Sequence, residues 1–482
     1  MADNRWHGLV LVGTLHQIGR FQPGRKYSKW RRKMGDKCTQ LKHYNLLASK
    51  GNEFTFTAEC WEQAGKTGDL RMLRWLTSNG IGHCSPRTMD LAAGNGHLLA
   101  VEYLHANRSE GCTQRAMDLA ISAGHRDIIM FLHENRKESY SSSGIHSACQ
   151  KGNLELIEWL VSVGVIKTFH AADCLDFAAF SGNLELIRWL EGHVPKDCRL
   201  ATMNAVAEAS RGGHVEVLEH LKRNYREIYV EAMHYLGANV TIGAAKAGHV
   251  GALAWLLRAP GDVVHHHGAA NWAAEAGHLG ALEWLHAYDP SCLPSGRAVA
   301  LAAERGSLNV VEWAHRHDAA AAAPLPFPPR QEMFTTFVMD RAAKGGQLSV
   351  LKWLQRHRTE GCTTQAMDLA GRNGHLEVVE WLHRNRAEGC TKAGPNGAAS
   401  FGHVEIVEWF HRVRGAACSA SGATEAARHG HLRVLDHLRR RQPQSITPEA
   451  ARVALGADFD EDIVEWFSEN LPHLVLEATT EV

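Results

Sequence analysis

Apolar residues along the chain fall into two alternating groupings. In the first, Ala116, Met117, Leu119 and Ala120 stand at i, i+1, i+3 and i+4, the spacing of one helix face. In the second, Leu376, Val379, Leu382 and His383 share one side of a helix, while Glu377 and Glu380 lie on another. A glycine followed by a polar residue separates the two. It recurs as Gly68, Gly96, Gly124, Gly152, Gly182, Gly213, Gly248, Gly277, Gly306, Gly346, Gly374, Gly402 and Gly430, with spacings of 28, 28, 28, 30, 31, 35, 29, 29, 40, 28, 28 and 28 residues. A fourteenth, eroded copy has Phe459 in place of the glycine and ends in Ile463-Val-Glu-Trp-Phe467.

Each unit reads as two short helices. Small alanines let the first helices approach closely, and the glycine ends each one where a positive φ is needed. Glu377 in the first turn of a second helix, with His383, Arg384 and Arg386 near its end, complements the helix dipole. Helices of about ten residues are marginal alone, so each pair must bury its apolar face against its neighbours. The expected fold is an all-α solenoid of helix pairs.

The repeat resembles the ankyrin family, whose pattern runs T-P-L-H-x-A-A, two variable residues, G-H and an apolar helix. The match is closest in Ala92-Ala93-Gly94-Asn95-Gly96-His97 and Ala273-Ala274-Glu275-Ala276-Gly277-His278 and covers roughly residues 57–467. The resemblance implies an ankyrin-type solenoid of about 13–14 repeats. Two features depart from it. Variants of R/Q-A-M-D, as at Gln365-Ala-Met-Asp368, replace T-P-L-H, so that hydrogen-bonding network must differ. The period is about five residues short of 33, which should truncate the inter-repeat fingers. This short form, with its WLH and EGCT segments, is similar to the expanded arrays of amoebae, oomycetes and giant viruses.

Two places break the rhythm. The 40-residue gap holds an Ala/Pro-rich stretch, expected to be an insertion loop at 318–332 between repeat blocks 57–317 and 333–467. The 35-residue gap adds Tyr225-Arg-Glu-Ile-Tyr229, expected as an extended inter-repeat loop. Residues 1–56 read as a basic segment, partly disordered or a degenerate cap, and 468–482 as a C-terminal tail.

Composition adds little until it is divided. The 482 residues carry 52 basic and 52 acidic side chains and are 45% hydrophobic, which excludes a wholly disordered chain. No apolar run reaches 18 residues, and the patch Gly8–Gly13 is too short for a secretory signal core. Residues 1–56 carry a net +8, leaving −8 on the remaining 426.

The chemistry-bearing residues follow the repeat. Of 31 histidines, His97, His125, His214, His249, His278, His375, His403 and His431 follow anchor glycines, and His286, His383 and His411 lie near the ends of second helices. Like positions about 10 Å apart do not converge on one zinc ion, so capping and packing are expected of them. His265–His267 stands outside the pattern and reads as an exposed loop. Cys84, Cys112, Cys198, Cys362, Cys390 and Cys418 share one position and read as buried loop thiols, in keeping with a reducing compartment. Ten of fourteen tryptophans also share one position, expected as a packing stripe on the second helices. Nucleophile–base combinations can be assembled only from repeated positions, and no phosphate loop, G-x-S-x-G or H-E-x-x-H occurs. The expectation is no enzyme, no cofactor and no metal.

In proteins of the resembling family, partners bind the concave face through inter-repeat turns and first-helix ends. The matching positions precede each anchor glycine: Lys66, Asn95, Lys151, Phe180, Arg211, Lys246, Glu275, Arg305, Lys344, Arg372, Phe401 and Arg428. Eight are Lys or Arg, against a glutamate-rich second helix (Glu155, Glu158, Glu216, Glu219, Glu405, Glu408), implying a basic inner stripe and an acidic outer wall. The stripe is also what the helix dipole alone favours. The reading is a monomeric scaffold or adaptor, cytoplasmic, binding protein partners with an acidic segment. The alternative is a nucleic-acid-associated protein using this stripe and the N-terminal cluster Arg25, Lys26, Lys29, Arg31, Arg32 and Lys33, a run that also suits nuclear import. Residues 1–56 show no F-box pattern.

Overall fold

The computed structural model describes residues 56–81, 84–166, 171–193, 201–258, 268–320, 333–456 and 461–480. The basic cluster Arg25–Lys33 and the run His265–His267 lie outside them. Among the described residues every regular element is a helix and none is a strand. The chain divides into two compact units, 1–230 and 231–482.

Within each unit the helices alternate as the pattern predicts, and neighbours in sequence are neighbours in space. In the N-terminal unit, the first helix Pro86–Gly94 packs between Ala58–Thr67 and Gln114–Ala123. In the C-terminal unit, Thr364–Arg372 packs between Thr336–Lys344 and Ala393–Ser400, and against its own second helix Leu376–Asn385. Alanine makes this approach possible: Ala92, Ala93, Ala342, Ala343, Ala398 and Ala399 are fully buried. The second helices contribute a branched apolar strip, as in Val378, Val379 and Leu382. This strip is rotated from the expected face, for Leu376 and His383 are only half-buried.

The thirteen anchor glycines all adopt positive φ, between 64 and 88°. Gly374 shows a second reason for glycine. A Cβ there would meet the His403 ring of the next repeat at 2.8 Å, so the turn is closed against its neighbour as well as left-handed. The same histidine class does not cap. His97, His125, His214, His278, His375, His403 and His431 are N-cap residues without a side-chain cap bond. Some instead donate back one repeat, as His97 does to the Lys66 carbonyl at 3.1 Å and His431 to that of Ser400 at 3.0 Å.

The R/Q-A-M-D departure has its own network. Asp90, Asp118, Asp340 and Asp368 each accept two bonds from a Thr or Ser 23 residues onward, one from the backbone N–H and one from the hydroxyl. These hydroxyls sit at the starts of the next first helices, so each carboxylate fastens one repeat to the next. Asn271 and Asn396 stand in for aspartate at two junctions.

One segment differs from expectation. Tyr225–Tyr229 is not an extended loop: Arg226–Ala247 is one continuous 22-residue helix, with Tyr229 buried. No glycine or proline interrupts residues 226–236, and Tyr229, Ala232 and Met233 supply a buried helical face. Residues 321–332 of the Ala/Pro stretch lie outside the described residues, and on either side of it Gly296–Glu304 packs on Thr336–Lys344. The C-terminal segment holds a helix, Pro472–Thr480, that packs on Pro448–Ala454 and covers the last repeat with Leu474 and Ala478.

Candidate interaction surface

The residues just before the anchor glycines occupy the last turns of the first helices and the turns after them. Lys66, Asn95, Lys151, Arg211, Lys246, Arg372, Phe401 and Arg428 are exposed, with Phe401 at 52%. Phe180 and Lys344 are half-buried. The stripe therefore exists as a surface feature, but most of its cations are already engaged. Lys151 donates to the Ser122 carbonyl at 2.6 Å. Arg305 pairs with Glu275 at 3.1 Å, and Lys344 with Glu304 at 3.0 Å, each across one junction. Arg211 and Arg428 pair within their own helices, with Glu208 at 2.6 Å and Glu425 at 3.2 Å.

Several of the cations also cover aromatic rings. Arg211 lies 4.9 Å from the Phe180 ring centre, Lys246 4.8 Å from that of Trp272, and Arg372 5.0 Å from that of Phe401. Such contacts hold a long side chain over a ring by electrostatic attraction to its face. The result is a surface of paired cations, aromatics and amides whose composition changes from repeat to repeat on a constant backbone. Asn95 donates to the Leu91 carbonyl of its own helix at 2.8 Å.

On the opposite helices the tryptophans prove to be half-buried rather than core. Trp75, Trp159, Trp189, Trp255, Trp284, Trp353, Trp381 and Trp466 are intermediate, while Trp313 and Trp409 are buried. Several of their outer faces are roofed from within the array. His193 stacks on Trp189 at 3.9 Å, His317 on Trp313 at 3.9 Å and His357 on Trp353 at 4.5 Å. Histidines of the preceding repeat meet the next tryptophan edge-on, as His383 meets Trp409 at 5.3 Å. Roofed rings pack repeat against repeat and offer little open face for stacking a base.

The cysteine class behaves as a set of enclosed thiols. Cys112, Cys362 and Cys418 are buried, and Cys84 and Cys390 are half-buried. Cys198 lies outside the described residues. Burial pushes the Cys112 and Cys362 thiols up to about 11 and that of Cys418 up to about 12, away from nucleophilic use. Among the described residues no group of three His, Cys, Asp or Glu is placed to hold a metal ion.

A feature that the sequence reading missed is the set of bonds joining second-helix ends. Arg358 donates to His315 Nδ1 at 3.3 Å and pairs with Asp318 at 3.0 Å. Arg386 donates to Gln355 at 3.1 Å, and Arg414 to His383 Nδ1 at 3.1 Å. Each of the first two arginines is held in turn by the glutamate two residues on, Glu360 or Glu388. The R-x-E-G-C spacing at 358–362 and 386–390 was the visible signal.

No helix among the described residues is long and apolar enough to cross a membrane. The chain matches no family model and no curated protein.

Proposed function

We propose that the chain is an ankyrin-type repeat protein working as a non-enzymatic, monomeric scaffold, holding protein partners along its first-helix ends and inter-repeat turns. One observation carries the reading. At the two positions before each anchor glycine the backbone is held by the same turn bonds each time, while the exposed side chains there vary through Lys66, Asn95, Lys151, Arg211, Arg372, Phe401 and Arg428. A constant frame with a varying exposed position is the arrangement by which a repeat array encodes a partner. The pairing of Arg305, Lys344, Arg211 and Arg428 with glutamates argues for a partner that matches cations, rings and amides together, over one recognised by bulk positive charge.

The test uses the full chain with a photo-crosslinking residue at position 401 or 66, and the same chain carrying Arg372→Glu, Phe401→Ala and Arg428→Glu. Crosslinks to a discrete protein at these positions, lost in the triple variant, support the reading. Undiminished capture by the triple variant removes the binding face from these residues.

A further inference from the structure

Five consecutive repeats of the C-terminal unit carry a second charged feature, on the other helix of the pair. The position three residues after the second-helix tryptophan, one turn from the helix end, is Arg316, Arg356, Arg384 and Arg412, and Arg440 holds it where His437 replaces the tryptophan. All five are exposed. Among the described residues Arg316, Arg356 and Arg412 have no carboxylate partner, while Arg384 and Arg440 pair with Glu380 at 3.0 Å and Asp436 at 2.7 Å and keep side chains 71% and 66% exposed.

The helix dipole favours a cation at this position in every repeat, so it does not explain where the arginines fall. In the N-terminal unit the equivalent residues of Leu70–Ser78, Leu98–Asn107, Arg126–Asn135, Leu154–Ser162 and Leu184–His193 are Ser78, Ala106, Glu134, Ser162 and Gly192; Arg223 in Val215–Asn224 and Arg258 in Val250–Arg258 are isolated from the five by Ala287 of Leu279–Tyr288. The five arginines occupy consecutive repeats, and the bonds Arg358–His315, Arg386–Gln355 and Arg414–His383 join the helix ends that carry the first four. Neighbouring ladder positions therefore stand one helix spacing apart, about 10 Å.

We propose that this arginine ladder is a binding surface for the phosphate backbone of a nucleic acid. A row of like charges at constant spacing complements a polymer whose charge is itself periodic, and the guanidinium fork grips phosphate oxygens in pairs. A protein partner would need an apolar or aromatic centre within a polar rim. Along this ridge Val413, at 41%, is the one large apolar residue exposed among the described residues; Phe337 and Phe401 belong to first helices and Leu476 to the final helix. Beneath the ladder Trp313 and Trp353 are covered by His317 and His357, and Trp409 is buried, so contact is to backbone phosphate rather than to base edges and carries no sequence preference. This surface is distinct from the first-helix stripe and does not rest on its function.

The test measures binding of the full chain to labelled single-stranded RNA, single-stranded DNA and duplex DNA of mixed sequence, between 50 and 300 mM salt by design (roughly the range where counterion release is read). Three chains are compared: the native protein, a variant with all five ladder arginines changed to Gln, and a variant with Arg25, Lys26, Lys29, Arg31, Arg32 and Lys33 changed to Gln. The ladder substitutions are exposed, and an unchanged circular dichroism melt confirms folding. The expected result is salt-dependent binding by the native protein, with the slope of log K against log salt reduced by about 1 per ladder arginine removed. The relative strength on RNA, single-stranded DNA and duplex identifies the backbone geometry preferred. Absence of binding by the native chain overturns the proposal. So does an unchanged slope in the ladder variant, binding lost only in the N-terminal variant, or selective ladder-dependent capture of a poly-glutamate peptide.

Discussion

The carboxylate of Asp340 and the N-cap residue Thr363 are joined by two hydrogen bonds, the backbone N–H to Oδ1 at 2.8 Å and the hydroxyl to Oδ2 at 2.8 Å. Thr363 Oγ1 in turn accepts from the Gln365 N–H at 3.1 Å, so one hydroxyl both caps a helix and fastens it to the preceding repeat. Asp340 is 3% exposed, and burial raises its carboxyl above the usual range despite these bonds.

Removing that carboxylate leaves two half-buried donors without their acceptor. Asp340→Ala is expected to destabilise the C-terminal unit by about 2 kcal/mol, within the range for unsatisfied buried groups. Asp340→Asn should cost less, since Asn271 and Asn396 already serve at equivalent junctions. Urea unfolding of both variants checks this. Equal losses would mean that the negative charge, rather than the hydrogen-bond geometry, holds the junction.

The anchor glycine gives a second test, because Gly374 has both a left-handed φ of 88° and the His403 ring against it. Gly374→Ala is expected to cost about 1–2 kcal/mol from backbone strain alone, and more from the ring. Adding His403→Ala should recover the steric part but not the strain. A double-mutant cycle in denaturant separates them, and zero coupling would show that the ring yields freely.

His315 makes the stack sensitive to acid. Burial lowers its pKa, and the Arg358 guanidinium and His357 lower it further, against the opposing carboxylates Asp318 and Glu360. As acceptor of the Arg358 bond it must be neutral at Nδ1. A depressed folded-state value means that the unfolded chain takes up the proton first. The contribution is therefore intact above the unfolded value of about 6.5 and is lost as pH falls through the folded one. The unfolding temperature of the native protein should drop over that window more steeply than that of His315→Gln. Parallel curves would dismiss the bond as a source of pH dependence.

Thiol reactivity offers a fourth check. Cys84 and Cys390 are half-buried, whereas Cys112, Cys362 and Cys418 are buried; burial raises all five thiols, the buried three to about 11, 11 and 12. Alkylation at pH 8, followed peptide by peptide, should label the first two ahead of the other three, with the difference erased in denaturant. Early labelling of Cys418 would indicate that the last repeats open on their own.

By itself the sequence determined the periodic features. A 28-residue recurrence of alanine faces, a glycine and a second apolar helix is enough to specify helix pairs that stack, because neither helix can bury its face alone. It also placed Lys66, Arg372 and Phe401 at exposed first-helix ends. Tertiary structure decided what those repeated residues touch. A pattern shows that Asp340 and Thr363 recur at fixed separation, but not that one accepts two bonds from the other. The tryptophans read as core because hydrophobicity is a scalar, whereas burial depends on rotation about the helix axis, and that rotation gave the centre to Val378, Val379 and Leu382. Tyr225–Tyr229 read as a loop because it broke the count, yet nothing in it breaks a helix, and packing of Tyr229 extended one. The arginine ladder was visible as spacing all along. Only the stacked helices show that its members lie side by side, exposed, and in three cases without a carboxylate partner among the described residues.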